Sequence, residues 1–441
     1  MWDARTGERQ FEIGSNPNSV HRVVLAPDGT LLAACGYNDN TIRLWDIAGR
    51  KEVRVFKGHK APSIDSISWS ADAKTIASAS RGDRSLRIWD AATGKQRWEK
   101  AINADWSAVV ALSPDGKTVA VGGYANGMIR LWLVETGKEL GSIKAPQQFV
   151  YTLAFSPDGS TLISGGLSGI IHLWEPATGR LLTQWDTKTG WTSELALSRD
   201  GRTVVSGHND GSVRVWEVAT GKERACFQGH LGGVRAVAIS RDGRSIASGS
   251  EDTTALVWDA TTGAYPDVVL SAEQLQTLWR DLKDADAGPA YRALWQMALA
   301  PKRALPLLAE HLRPVAPLDR AGQKQVDRLL GDLDSDRFAV RQKAEDELEK
   351  IGPIVEPALR KALESKPSLE VRRRIEAVLA KLANEHLRLS RALEAIEHMN
   401  TSEARRLVES LANGAPQAWL TEEARAARKR LANLTVTAPA R

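Results

Sequence analysis

The sequence predicts two domains of different class: a six-bladed β-propeller over residues 1–265 and an all-α domain over residues 266–441. Three observations carry that expectation. Trp2, Trp45, Trp89, Trp132, Trp174, Trp216 and Trp258 recur at intervals of 42–44 residues. Between them the same short alternating runs return, bounded each time by Asp-Gly or Thr-Gly turn chemistry. After Pro266 the alternation stops and apolar residues take helical spacing.

Each repeat has the same order of parts. An alternating run enters a Ser-Pro-Asp-Gly-like turn, as at Pro114-Asp115-Gly116 and Arg199-Asp200-Gly201. A run of small residues follows, such as Ile246 to Ser250. Then come a tight turn, a run such as Val213 to Trp216, a Thr-Gly turn and a last short run. Alternation of apolar and polar residues is the period of a half-buried strand, so a unit holds four antiparallel strands. One such sheet cannot bury both faces alone, and radial packing of copies solves this while leaving only short edges.

Six complete repeats end at Trp45, Trp89, Trp132, Trp174, Trp216 and Trp258. The opening Trp2-Asp3 with Thr6-Gly7 repeats the end of a unit. The expected closure pairs Glu8 to Ile13 beside the strand ending at Trp258. That arrangement has no use for Trp2, which suggests a chain beginning inside a longer array, with a further blade upstream.

These repeats resemble the WD-repeat family. Gly58-His59 with Trp89-Asp90, and Gly229-His230 with Trp258-Asp259, stand at the family's spacing. Asp39, Asp83, Asp210 and Asp252 lie six residues before their tryptophans, where the family places its turn aspartate. The repeats ending at Trp132 and Trp174 depart from the pattern: they lack Gly-His and carry Asn126 and Ser168 instead of aspartate. The resemblance implies that His59, Ser78, Asp83 and Trp89, and likewise His230, Ser248, Asp252 and Trp258, form structural hydrogen-bonded tetrads. A Ser, a His and an Asp together also suggest a hydrolase, but a catalytic triad occurs once and this set recurs. No catalytic residue is therefore assigned.

In the second domain, Ser271 with Gln274 has the form of a capping box opening a helix. Asp336 is expected to cap a helix ending near Ile351, where Gly352-Pro353 stops one helix and restarts the next. Val371, Ile375, Val378, Leu379 and Leu382 share one helix face, as do Ile354, Val355, Ala358, Leu359, Ala362 and Leu363. Thr401 or Ser402, and Thr421, are further candidate caps. The stretch from Leu333 to Leu382 resembles HEAT-like helical repeats and is similar to the helical tails of WD-repeat proteins of planctomycete-type bacteria.

Composition narrows the chemistry. The chain has 59 basic and 54 acidic residues, a mixed surface rather than the one-signed stripe of a nucleic-acid binder. Arg372-Arg373-Arg374 and Arg428-Lys429-Arg430 are interleaved with glutamates and read as salt-bridged helix faces, with nucleic-acid binding the lesser reading. Asp332, Asp334 and Asp336 imitate a calcium loop, but Arg337 and Lys343 occupy the sixth and twelfth positions. No phosphate loop, dinucleotide fingerprint or zinc motif is present, so no cofactor or metal is expected. His208 is expected to be a solvated turn residue. Cys35 and Cys226 are expected to be buried thiols, and neither a signal segment nor an apolar span is found, which points to the cytoplasm.

The resemblance also directs attention to one rim. Positions seven and five before the turn serine open onto the top face of WD-repeat propellers. Trp106, Phe149, Tyr151 and Trp191 occupy them in three successive repeats, with His21, Asp65 and Arg235 in others. These rings either plug gaps between blades or form a contiguous protein-binding patch. The leading expectation is a non-enzymatic scaffold binding a protein or peptide through that patch and without membrane contact. The alternative is the regulatory end of a longer multidomain enzyme or signalling protein.

Overall fold

The computed structural model describes residues 1–4, 6–13, 20–36, 38–102, 108–123, 127–146, 149–264 and 269–435, with side chains to 432. They form two compact units, Met1–Ala260 and Thr261–Arg441. The first is a six-bladed β-propeller. Blade 1 comprises the strands Val20–Leu25, Leu31–Gly36, Thr41–Asp46 and Lys51–Lys57, hydrogen-bonded in sequence order. Blades 2 to 5 repeat that meander over residues 66–101, 108–144, 150–186 and 192–227. Blade 6 has three strands, Val234–Ile239, Ser245–Ser250 and Ala255–Asp259.

The turns explain why the chain folds back at those points. In five blades the turn serine donates to the carboxylate two residues on, as Ser113 does to Asp115 at 2.6 Å. That carboxylate accepts the Lys117 N–H and the serine Oγ accepts the Thr118 N–H, fixing the entry to the second strand. At the other end of blades 1 to 5, the tryptophan pairs seven residues ahead across a one-residue bulge, as Trp45 does with Glu52, Trp89 with Gln96 and Trp132 with Glu139.

The core lies between blades. Val110, Leu112 and Val121 of blade 3 pack with Ile88 and Leu86 of blade 2, and the same layering joins blades 3 to 4 and 4 to 5. The first strands stack blade upon blade from 1 to 6, while no comparable packing joins blade 6 to blade 1 among the described residues. Nor do Glu8 to Ile13 pair beside Trp258. They fold back on the chain start, with Trp2 bridged to Arg9 and the Met1 amine donating to the Phe11 carbonyl at 2.7 Å. The local hairpin turn outcompetes the long-range closure, and the third strand of blade 6 has no fourth-strand partner among the described residues.

The second unit consists of α1 (Ala272–Asp281), α2 (Ala287–Leu299), α3 (Pro301–His311), α4 (Arg320–Asp332), α5 (Phe338–Ile351), α6 (Glu356–Glu364), α7 (Leu369–Met399), α8 (Ser402–Ala412) and α9 (Trp419–Thr435). Ser271 and Gln274 form a reciprocal capping box, and Thr401 caps α8. Gly352, at φ 82°, ends α5, and a 3-10 turn at Pro353–Val355 leads into α6. Two expected caps are corrected. The N-cap position of α5 is Arg337, with no side-chain bond, so Asp336 lies one residue outside it. Thr421 is buried inside α9, where it follows the N-terminal Trp419 and cannot start the helix. The faces of α6 and α7 meet in one core containing Val355, Leu359, Val371, Ile375 and Val378.

Candidate protein-interaction rim and the bracing of the blades

Blade 2 is braced by four linked side chains. The Trp89 indole N–H donates to Ser78 Oγ at 2.8 Å, and His59 Nε2 lies 2.7 Å from the same oxygen. His59 Nδ1 lies 3.0 Å from Asp83 Oδ2, which also accepts the Lys60 N–H at 2.8 Å. Ser78 reaches the indole diagonally, because its direct cross-strand neighbour is Arg87. Burial raises the Asp83 pKa, but the hydrogen bonds from His59, Ser85 and Lys60 outweigh it and hold the carboxylate well below its ordinary range. Blade 6 repeats the set: Trp258 to Ser248 at 2.8 Å, His230 to Ser248 at 2.7 Å and His230 to Asp252 at 3.1 Å. Ser78 is wholly enclosed and Ser248 nearly so, each shared between an indole and an imidazole, which gives a substrate no approach to either hydroxyl.

Blade 5 reaches the same bracing by another route. His208, expected in solvent, is fully buried at the end of the second strand. Its Nε2 lies 2.7 Å from Ser206 Oγ and its Nδ1 2.7 Å from Thr189 Oγ1, while the Trp216 indole donates to Ser206 at 2.7 Å. Burial pushes this imidazole down to about 4. Blade 4 keeps the Trp174–Ser164 bond, at 2.9 Å, and stacks the buried His172 on Trp174 at 5.4 Å. The thiols also differ from each other. Cys35 is buried, which pushes its pKa up to about 12, whereas Cys226 is exposed on the outer strand of blade 5. Outer-strand alternation faces outward there, and period alone does not distinguish that strand from an inner one.

Three of the expected rim residues come together. The Tyr151 and Trp191 rings lie 5.0 Å apart at 34°, and the Arg235 guanidinium sits 4.6 Å over Trp191. They come from the starts of blades 4, 5 and 6. Arg235 is held by Glu251, whose Oε1 accepts its Nε–H at 2.9 Å. The Trp191 indole N–H is buried without a partner among the described residues. Gly169, at φ +68°, lets the Gly190 carbonyl press against it: an added Cβ would stand 2.2 Å from that oxygen. This close approach sets the loop that presents Trp191. Phe149 precedes the blade 4 strand and its carbonyl lies against Gly166 in the same manner.

The other expected positions are placed differently. Trp106 lies outside the described residues. His21 and Asp65 belong to blades 1 and 2, and Asp65 is buried, accepting the Arg81 N–H at 2.6 Å. Asp65 is thus a loop anchor rather than a rim contact. Sequence reasoning missed Glu251 and the pairing of Arg22 in blade 1 with Glu194 in blade 5. Glu251 had a signal, since it directly precedes the turn Asp252. The Arg22–Glu194 pair had none, being 172 residues apart. In the helical unit, Arg374 pairs with Glu345 at 2.7 Å and Glu370 at 2.8 Å, and Arg430 with Glu397 at 2.8 Å.

A ring of WD-type sheets braced in this way defines a repeat propeller. The family model described as "WD domain, G-beta repeat" matches residues 7–46, 50–90, 103–132, 137–175, 179–217 and 221–259, more than half of the chain. The chain belongs to the WD-repeat family. It is also similar to "Anaphase-promoting complex subunit cdc20" of Dictyostelium discoideum, 35% identical over 72 residues, covering 16% of this chain and 14% of that protein. "Cell division cycle 20.1, cofactor of APC complex" of Arabidopsis thaliana is 32% identical over 72 residues, with 16% of each chain covered. The chain thus matches only a small part of the length of either relative. Propellers of this family are typical protein-interaction scaffolds, and no described helix is long and apolar enough to cross a membrane.

Proposed function

We propose that this chain is a non-enzymatic scaffold whose propeller binds a protein or peptide on the rim formed by blades 4 to 6. The observation that carries the reading is the Tyr151–Trp191–Arg235 stack, with Phe149 on the same blade as Tyr151. Aromatic rings and an arginine clustered on one rim have the composition of a binding hot spot. His21 extends the proposed rim on blade 1, and Trp106, outside the described residues, is carried from the sequence as a further candidate contact. The two relatives are named as a subunit and a cofactor of one complex, and membership of an assembly is the use this reading gives the present propeller. The HEAT-like helical unit would then hold a second partner. In its two basic clusters Arg374, Arg428 and Arg430 are already matched by glutamates, which favours protein over nucleic acid.

The test is affinity capture with the full chain, comparing wild type, the Tyr151→Ala/Trp191→Ala double variant, and Lys117→Ala in a turn on the opposite side of the blades. Near-ultraviolet circular dichroism confirms folding of each. A partner retained by wild type and Lys117→Ala but lost by the double variant supports the rim. Equal capture by all three moves the contact elsewhere.

A further inference from the structure

The outer strand of a blade has a sheet neighbour on one side only, so its other edge is open to pairing with another chain. The five described outer strands guard that edge to different degrees. Those of blades 1, 2 and 5 carry charges within the strand, such as Arg54, Glu99 and Arg224, and that of blade 3 is interrupted by Gly141. The outer strand of blade 4, Arg180–Asp186, has neither device. Its sequence RLLTQWD holds no charge between its two ends, and every residue but Trp185 is exposed. Leu181 and Leu182 are 38% and 42% exposed.

Alternation locates the free backbone groups. The Thr187 N–H donates inward to the Gly169 carbonyl at 2.9 Å, and Trp185 and Thr183 pair with Ile171 and Leu173 of the third strand. The N–H and C=O groups of Gln184 and Asp186 therefore point away from the blade. An identical strand run antiparallel meets this edge with Thr183 on a two-fold axis. Leu182 then faces Gln184 of the second copy, Leu181 faces Trp185, and Arg180 faces Asp186. Opposite charges thus meet at both ends of the pair. The same register on blade 1 sets Lys51 against Lys57 and Arg54 against itself, which repels. Arg180 contacts Glu175 of its own corner at 3.4 Å and Asp186 accepts the Lys188 N–H at 2.8 Å, and both side chains stay at the surface.

We propose that the outer strand of blade 4 pairs with the same strand of a second copy of this chain, across a two-fold axis at Thr183. Two four-stranded blades then join into one eight-stranded antiparallel sheet. The self-complementary order of charges selects a second copy over a foreign strand. Pairing along one edge buries little surface, so the dimer is weak and depends on concentration. This edge is the opposite side of blade 4 from the first strand, which carries Tyr151, and the proposal stands independently of the rim.

The experiment is sedimentation velocity of the full chain across a roughly hundredfold range of concentration, with circular dichroism confirming that each variant folds. Wild type should pass from monomer to dimer within that range. Arg180→Asp sets like charges at both ends of the paired strands and should weaken association about tenfold. The exchange Arg180→Asp/Asp186→Arg restores opposite charges and should return it to within about threefold of wild type. Thr183→Cys, in a Cys226→Ser background, should form a disulfide between copies in a glutathione buffer, because a non-hydrogen-bonded pair on the axis sets its Cα atoms about 4.5 Å apart. Val53→Cys, exposed on blade 1, should not. A chain that stays monomeric throughout, with no more crosslinking at Thr183 than at Val53, would overturn the proposal. So would a dimer indifferent to the charge changes, since its interface would then lie elsewhere.

Discussion

His208 reaches back along its own strand to Ser206, 2.7 Å away, and so replaces the loop histidine that braces blades 2 and 6. The replacement keeps the shared serine acceptor while moving the imidazole to a different segment. It also encloses a titratable ring completely.

A pH dependence follows from that enclosure. Burial holds His208 at about 4, below its ordinary 6.5, so the unfolded chain binds more protons between those values. The stabilisation is complete above pH 6.5 and is lost as pH falls toward 4, by roughly 3 kcal/mol. Burial pushes His172 in the same direction. Urea unfolding at several pH values should show this slope, shallower in His208→Gln. An identical slope in the variant would assign the proton uptake to other groups.

The serines of the two complete tetrads should differ in cost. Ser78→Ala strands the Trp89 indole N–H and the His59 Nε2 inside a blade with neighbours on both sides, a loss of about 1–3 kcal/mol. Ser248→Ala removes the same bonds beside the half-exposed Trp258, where water can replace them, so about 1 kcal/mol or less is expected. Chemical denaturation of both variants checks the order.

Arg22 and Glu194 couple blade 1 to blade 5, and Glu194 also accepts from the Thr152 hydroxyl at 3.3 Å. Arg22→Met and Glu194→Gln should each cost about 1–3 kcal/mol, because each leaves a partly buried group unmatched. The double variant should fall short of the sum by about 1 kcal/mol. Strict additivity would show that the pair contributes nothing to holding the blades together.

The two thiols should titrate separately with an aromatic disulfide reagent at pH 8. Cys226, exposed, reacts in the native protein; Cys35, enclosed and pushed up to about 12, reacts only on unfolding. One equivalent before denaturant and two after is the expected count.

In the helical unit, Arg391 is fully enclosed and donates to the Leu282 and Asp284 carbonyls, each at 2.8 Å, beyond the end of α1. Arg391→Met leaves those carbonyls unmatched and should destabilise the unit by about 2–4 kcal/mol. Differential scanning calorimetry should show the loss in one transition only, with the propeller transition unchanged.

The parts legible in the sequence are those set by neighbours along the chain. The tryptophan period, the serine–aspartate turns and the Ser271 capping box depend on contacts within a few residues, so local chemistry announces them. The two tetrads were legible through the family resemblance. His208 was not, because the residue that completes it, Thr189, sits on the far side of a strand and carries no motif. The 55% exposure of Val23 in the first strand of blade 1 was not either: alternation marks a face as apolar without saying whether another sheet reaches it. Tyr151 and Trp191 were singled out by position in the repeat, while their contact with each other and that of Trp191 with Arg235 needed three dimensions.

Within each blade every strand pairs with its immediate successor, which bears on how the propeller forms and fails. Closing such neighbours costs little chain entropy, so assembly can nucleate in any blade and spread outward by zippering. Among the described residues, inner blades then have two closely packed neighbours to lose before they open, whereas blades 1 and 6 each have one. Native-state amide exchange should therefore rise toward blades 1 and 6, with the middle blades released last.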